Sequence, residues 1–333
     1  MPEIVPFGSS RNPNALVVAS WNVQSFGHNM FWKPPESESK VLSKPFEAAV
    51  AKLVGFISHH SVDLLFIQET VDTAALEFLV GQLNDASEAY RLDWVPLWAE
   101  IGMGFNRSNP SVRPPEYSAV IHKAESFAPA PRWRIERSLE MIDFPVLGLH
   151  AVFEENRDRF KRHPAHLTIS FEGERLTFVA VHLASDSGIQ SLRLDREIAT
   201  LPLLLERLRE LTGADHVVAL GDFNRNPDAN AFSALIKTGH LPTLLPGPGI
   251  RTNTGQTPHV YDNFFVPSEL WPRASGGIGG DSWMRLGLEG DRSKPISDHY
   301  PILLALQPAG GAVAAAGGRS GGAAGGGARG LFP

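Results

Sequence analysis

The sequence contains no cysteine. That absence excludes a disulfide scaffold, iron–sulfur clusters, thiolate zinc sites and cysteine nucleophiles, and it leaves the redox compartment open. No apolar run reaches the roughly 18 residues that a membrane-crossing helix needs, so no membrane span is expected. Positive charge is not in excess either, since 30 Lys and Arg face 36 Asp and Glu for a formal net charge of -6. This balance argues against binding to nucleic acid by bulk charge alone, and a phosphate-bearing partner has to be gripped locally. The first residues, MPEIVPFGSSRNPN, have neither a basic start nor an apolar core. They do not read as a secretory signal, and the expectation is a cytoplasmic protein with no obligate protein partner evident.

What is present is the composition of a globular chain, 333 residues with 43% hydrophobic and 20% charged side chains. Three stretches are expected: an N-terminal extension at 1–14, one large layered α/β domain at 15–307, and a Gly/Ala-rich tail at 308–333. From Ala309 on, the tail is almost entirely Gly and Ala, broken by Arg319, Ser320 and Arg329, and so is expected to be disordered. Within the domain, apolar runs predict strands over Leu16–Ser20, Leu64–Gln68, Ser118–His122, Leu167–Phe171, Leu176–His182, Val217–Leu220, Asn263–Val266 and Ile302–Leu306. Helices are predicted over Phe46–His59, Ala74–Leu83, Ser191–Leu211 and Asn230–Thr238. In the third, Leu194, Ile198, Leu201, Leu205 and Leu208 recur at helical spacing. Residues Gly102–Pro115, rich in Gly, Asn, Ser, Arg and Pro, predict a long surface loop.

The informative pattern is where polar residues fall. Leu-Val-Val-Ala-Ser runs into Trp21-Asn22, Leu-Leu-Phe-Ile into Gln68-Glu69, Thr-Phe-Val-Ala-Val into His182, and Val-Val-Ala-Leu into Gly221-Asp222-Phe223-Asn224; Ser297-Asp298-His299 precedes Tyr-Pro-Ile-Leu-Leu. If these strands share packed sheets, the polar side chains meet on one rim, where layered α/β proteins place their sites. Oxygen-rich donors of this kind suit Mg²⁺ or Mn²⁺, and imidazoles move protons near neutral pH. Metal-assisted phosphoryl chemistry follows.

The six segments SWNVQSFG, FIQET, FVAVHLAS, ALGDFN, VYDNFFV and SDHYP, in this order across Ala15–Leu306, resemble the endonuclease/exonuclease/phosphatase superfamily, with a lean toward its deoxyribonuclease-I-like branch. The resemblance implies an α/β fold, a four-layer α-β-β-α sandwich with two packed mixed sheets and the active site at one edge. It also implies a Mg²⁺-dependent (or Mn²⁺-dependent) phosphodiesterase, acting on DNA more readily than RNA. The alternatives are an enzyme for lipid or inositol phosphates, and a binding module of the same fold without catalysis.

Carried onto this sequence, the resemblance makes Glu69 a metal ligand, with Asn22 positioning the ion and Asp298 assisting. Asp222 orients or deprotonates water, Asn224 holds phosphate, and His299 faces the scissile phosphate with Asp262 fixing its tautomer. His182 donates a proton to the leaving oxygen, with Glu116 of PPEYSAVI as its partner. Tyr117 follows Glu116 directly, whereas the branch places one residue before its aromatic. Arg162 of FKRHP contacts substrate phosphate. Each residue also has a plainer reading: Glu69 as a helix N-terminal carboxylate, Gly-Asp-Phe-Asn as a turn, His182 as a satisfied histidine at a sheet edge, and Arg157 to Arg162 as a solvated basic run. For Arg132, Trp133, Arg134 and Arg137 with Ile135 between them, an amphipathic strand is expected rather than a nucleic-acid contact.

Overall fold

The structure is a computed structural model that describes residues 13–27, 31–32, 41–86, 89–97, 116–124, 132–142, 160–185, 189–255, 257–280, 283, 285 and 295–309. The predicted 102–115 loop and all but the first residues of the 308–333 tail lie outside the described residues, as do residues 1–12 of the extension. In chain order the elements are β1 (Leu16–Phe26), β2 (Phe31–Trp32), β3 (Val41–Leu42), α1 (Lys44–His60), β4 (Leu64–Thr70), α2 (Thr73–Asp85), β5 (Tyr90–Leu97), β6 (Glu116–Lys123), β7 (Trp133–Met141), β8 (Ala165–Phe171) and β9 (Glu174–His182). Then come α3 (Ile189–Thr212), β10 (His216–Asp222), α4 (Ser233–Lys237), β11 (His240–Pro242), β12 (Asp262–Pro267), β13 (Ala274–Ile278) and β14 (Ile302–Leu306).

Two mixed six-stranded sheets run β13-β14-β1-β4-β6-β5 and β11-β12-β10-β9-β8-β7. They pack face to face over a core that includes Leu16, Val18, Phe66, Val120, Leu167, Phe178, Leu220 and Phe264. The outer face of the first sheet is covered by α1 and α2 through Val50, Leu53, Phe56, Leu76 and Leu79. That of the second is covered by α3 and α4 through Leu194, Ile198, Leu201, Leu205 and Leu235. The four-layer sandwich expected from the resemblance is therefore present.

Local chemistry sets the helix ends. Ser43 Oγ accepts from the Phe46 amide at α1, and Asp72 accepts from the Ala74 amide at α2, each satisfying a donor that the first turn leaves open. Because Asp72 is the cap, Glu69 is not the helix-terminal carboxylate of its plainer reading.

Strand alternation delivers the polar residues to one place. Leu176, Phe178 and Ala180 of β9 face the inter-sheet core, so His182, two residues on, shares that face. By the same parity Val218 and Leu220 lead to Asp222, Val266 and Phe264 to Asp262, Leu16 and Val18 to Asn22, and Val120 to Glu116. Register aligns them across strands: Asp222 is opposite both His182 on β9 and Asp262 on β12.

The structure departs from the predicted elements in places. β1 continues through Asn22 to Phe26, so Asn22 lies within a strand and not beyond its end. The helix predicted over Asn230–Thr238 is broken into a 3₁₀ turn at Asn230–Phe232 and the five-residue α4. Neither piece has a side-chain cap to hold one continuous first turn. β2, β3, β5, β11 and β13 lie outside the predicted strands. The amphipathic strand expected around Ile135 is β7.

Candidate active site

At the shared rim, Asp222 Oδ2 is the hub. The Asn22 side-chain amide donates to it at 3.2 Å, and the Nε2 atoms of His182 and His299 each lie 3.7 Å away. On one side, Asn22 Nδ2 also donates to Glu69 Oε1 at 3.2 Å, and His182 Nε2 lies 3.4 Å from that oxygen. On the other, His299 Nδ1 is 2.7 Å from Asp262 Oδ2, and its Nε2 is 3.9 Å from Asp298 Oδ1. Asn22, His182, Asp222, Asp262 and His299 are buried, whereas Asp298 is half exposed.

Glu69 reaches this face against strand parity. Leu65 and Ile67 of β4 point toward the helices, and simple alternation would send Glu69 after them. Instead Glu69 has a left-handed φ of 58°, and the β4–β6 register shifts between Ile67 and Thr70. The backbone therefore turns over and brings the carboxylate to Asn22 and His182. A non-glycine residue held in that region costs on the order of 1–3 kcal/mol, a cost found at functional sites.

The loop after β10 is pinned from both ends. Asn224, at φ 50°, gives its amide N–H to Asp222 Oδ1 at 2.8 Å and its side-chain NH₂ to the Leu183 carbonyl at 3.0 Å. The turn reading of Gly-Asp-Phe-Asn thus holds in the structure. Asn224 braces the β9 strand end, with one amide hydrogen already engaged. Across the rim, Ser297 Oγ donates to the Asn22 carbonyl and accepts from the His299 amide at 3.0 Å, tying the SDH segment to β1. Thr252 Oγ1 accepts from the amides of Tyr261 and Asp262 at 2.8 and 2.9 Å, fixing the Asp262 carboxylate. Thr252 is invisible in the sequence, because it stands in no recognisable segment and acts only through backbone donors 9 and 10 residues away.

Glu116, His182 and Arg162 meet, but not in the simple pairing expected. Glu116 binds the Arg162 guanidinium through both oxygens, Nε at 2.5 Å and Nη2 at 3.2 Å. His182 Nδ1 is 3.6 Å from Glu116 Oε2, outside hydrogen-bond distance. The carboxylate is shared between the two, with Arg162 holding the larger part.

Burial and neighbouring charges set the two imidazoles apart. Burial holds His182 well below the ordinary histidine value, and the Arg162, His299 and Lys161 charges add to that, so the ring is neutral. Burial works in the same direction on His299, but the Asp262, Asp222 and Asp298 carboxylates outweigh it and raise the ring well above its usual value. Asp222 is pushed by burial up to about 6, with Asp262 adding to the rise and the His299 charge opposing it. Glu69 is likewise raised by burial, against the hydrogen bond from Asn22.

The donor set fits a hard divalent cation. Among the described residues, Asp222, Asp262 and His299 offer ligand atoms within 4.8 Å of one another. Asn22 Oδ1 and Asp262 Oδ1 are buried acceptors with no hydrogen-bond donor among the described residues, and Glu69 supplies a further carboxylate beside Asn22. Oxygen-rich donors without thiolate are those that Mg²⁺ and Mn²⁺ take. Asp298 reaches this group only through His299.

Comparison with known proteins agrees with this arrangement. No curated sequence matches. Similar solved structures include humanized D. rerio TDP2, at 16% identity over 88% of this chain and 99% of that one, with a TM-score of 0.57. The human Nocturnin catalytic domain with bound sulfate is 14% identical over 88% and 94% of the two chains, with a TM-score of 0.55. A Bacteroides thetaiotaomicron mannosyl-6-phosphatase is 15% identical over 87% and 98%, with a TM-score of 0.53. At these identities the likeness is one of fold. The sequence profile described as Endonuclease/Exonuclease/phosphatase family matches residues 19–299, a span running from the strand that carries Asn22 to His299 itself. The chain belongs to the endonuclease/exonuclease/phosphatase family.

Proposed function

We propose that this protein is a divalent-metal-dependent phosphodiesterase that hydrolyses nucleic acid, with DNA preferred over RNA. The observation that carries the reading is the convergence of two imidazoles, His182 and His299, on one buried carboxylate, Asp222, with each Nε2 3.7 Å from its Oδ2, at a rim lined by oxygen donors; burial lowers the first ring's pKa and neighbouring carboxylates raise the second's. Members of the family hydrolyse phosphate esters with the help of a divalent ion. Nucleic acid is favoured because a D. rerio TDP2, similar in fold, has been solved with a single-strand DNA product.

The residues divide the work as follows. Asn22 and Glu69 would hold the metal, while Asp222, Asp262 and His299 beside them serve as the proton-handling group. When bound, the ion supplies Lewis acidity toward a phosphoryl oxygen. Asp222, a carboxylate at neutral pH, orients the attacking water and accepts its proton. His299 is kept as an imidazolium by Asp262, so it can donate from Nε2 to the oxygens of the phosphate and to the departing one. Sequence reasoning assigns that donation to His182. The charges around the two rings favour His299, and leave neutral His182 to accept or relay a proton at Nε2. Arg162 has five donors, of which Glu116 takes two. The remainder suit a substrate phosphate, with Glu116 aiming the guanidinium.

A second reading, hydrolysis of a small phosphomonoester, is favoured by the likeness to the mannosyl-6-phosphatase. Turnover on single- and double-stranded DNA, RNA, a nitrophenyl phosphodiester and a sugar phosphate, each with Mg²⁺ or chelator, separates the two. Faster cleavage of the oligonucleotides supports the diesterase reading, and selective cleavage of the monoester overturns it.

A further inference from the structure

The apolar stripe of α3 has an intruder. Leu194, Ile198 and Leu201 face the second sheet, yet between them, on the same face, stands Glu197, only 1% exposed. Burying a carboxylate costs several kcal/mol unless its oxygens are satisfied, and an apolar residue here would complete the stripe at no such cost.

The Glu197 carboxylate spends both oxygens on backbone. Oε1 accepts from the Lys161 amide at 2.6 Å, and Oε2 from the Ala184 amide at 2.7 Å. Arg193, one helical turn earlier, lies 3.4 Å from Oε1. The two amides belong to separate segments of the site. Lys161 immediately precedes Arg162, and Ala184 lies two residues after His182. The same end of α3 is also linked to the loop after Asp222, since Arg225 donates to Ser191 Oγ at 3.1 Å and pairs with Asp195 at 3.2 Å.

We propose that Glu197 is a positioning residue: one buried carboxylate on α3 sets the distance between the segment that presents Arg162 to the substrate phosphate and the strand end that presents His182. The proposal rests on the reading of Arg162 as a phosphate-binding group. A carboxylate is required because both neighbours are donors. Glutamine at this position offers one carbonyl oxygen, and its NH₂ would face an N–H on the other side. The link reaches the chemistry through a side chain whose Cα is 35 residues from Arg162 in sequence and whose own atoms touch no proposed reacting group.

The test is steady-state kinetics of Glu197→Ala and Glu197→Gln on an oligonucleotide with Mg²⁺, beside the wild type and Arg162→Ala. A variant that merely unfolds in part loses active protein, so its apparent kcat falls while KM stays fixed. Misplacement of Arg162 instead raises KM. Glu197→Ala is expected to raise KM by about tenfold or more, within the scale on which small misplacements act, with Glu197→Gln between it and the wild type. In an Arg162→Ala background the Glu197 substitutions should change KM little further. Amide hydrogen exchange supplies a measurement independent of turnover: the Lys161 and Ala184 amides should exchange faster in Glu197→Gln than in wild type, while amides of the β9–β10 ladder do not. A wild-type enzyme that turns over, together with Glu197 variants of unchanged KM and unchanged exchange at these two amides, overturns the proposal alone. A folded wild type with no phosphodiesterase activity overturns the functional reading, and this positioning role with it.

Discussion

Asp222 carries opposed demands: it is buried, it faces two imidazoles, and its carboxyl is raised from 3.8 to about 6. The linked stability has a definite sign. A group whose folded value lies above its unfolded one stabilises the fold below the unfolded value, and that contribution is lost as pH rises through the folded value. In chelated protein, Asp222→Asn removes this titration, although its NH₂ has to face one of two donors, Asn22 Nδ2 or the Asn224 amide. Wild type should therefore lose stability relative to the variant as pH rises from about 4 through about 6, which the difference in thermal midpoints across pH would show. The same substitution should lower kcat by roughly 10²-fold or more, the scale for a lost acid or base. A relative stability that improves with pH while turnover is lost is the signature of a functional carboxylate. The two histidines are separated by leaving group. An alkoxide needs a proton as it departs and a nitrophenolate does not, so His299→Ala should lose roughly 10²-fold or more on DNA and far less on a nitrophenyl diester. His182→Ala should lose similar factors on both. The reverse pattern would return the acid's part to His182. The residues of this group were legible in sequence because each sits in a compact segment beside an apolar run. Thr252 and Glu197 were not, since their bonds go to backbone amides distant along the chain. Glu197 did leave one mark, an acid at the position where the α3 stripe calls for an apolar side chain.

At the level of elements, the site depends on β9 and β10 lying close together at their ends. Gly221 sits at φ 124°, and a Cβ there would fall 2.1 Å from the Val181 carbonyl oxygen on the neighbouring strand. No flexible side chain can yield, because the obstacle is backbone. Gly221→Ala should thus lower the thermal midpoint by several degrees and reduce turnover with it, as Asp222 is the next residue. An unchanged midpoint would mean that the strands separate without cost. The eight predicted strands are all present, because each is rich in Val, Leu, Ile, Phe and Ala and almost wholly buried. The unpredicted ones lie at or beside the sheet edges and are poorer in such residues. β5 alternates Arg91 and Asp93 with its apolar positions and contains Pro96, β13 holds Gly276 and Gly277, and β11 has three residues. The turn-over at Glu69 was beyond sequence reasoning too, since nothing in Phe-Ile-Gln-Glu-Thr marks a left-handed residue.

Over the whole molecule, the two sheets bring Asn22 and His299, 277 positions apart in the chain, to the same carboxylate. The fold class was legible because six short segments in order carry the family resemblance, and because alternating parity sends five polar residues to one face. Substrate choice was not, as it rests on loops and not on the shared phosphate machinery. With a net charge of -6, the proposed binding of nucleic acid would have to rest on local contacts, Arg162 being the proposed one. The most direct measurement of the central claim is hydrolysis of a phosphodiester by purified protein before chelation, after chelation and after Mg²⁺ or Mn²⁺ is restored, with Asp222→Asn and Glu69→Gln in parallel. Turnover should disappear with chelator and return with metal. Glu69→Gln should need more metal, and a folded Asp222→Asn should stay below about a hundredth of wild type at any metal concentration. Full activity after exhaustive chelation, or a folded Asp222→Asn with wild-type turnover, would contradict the central claim.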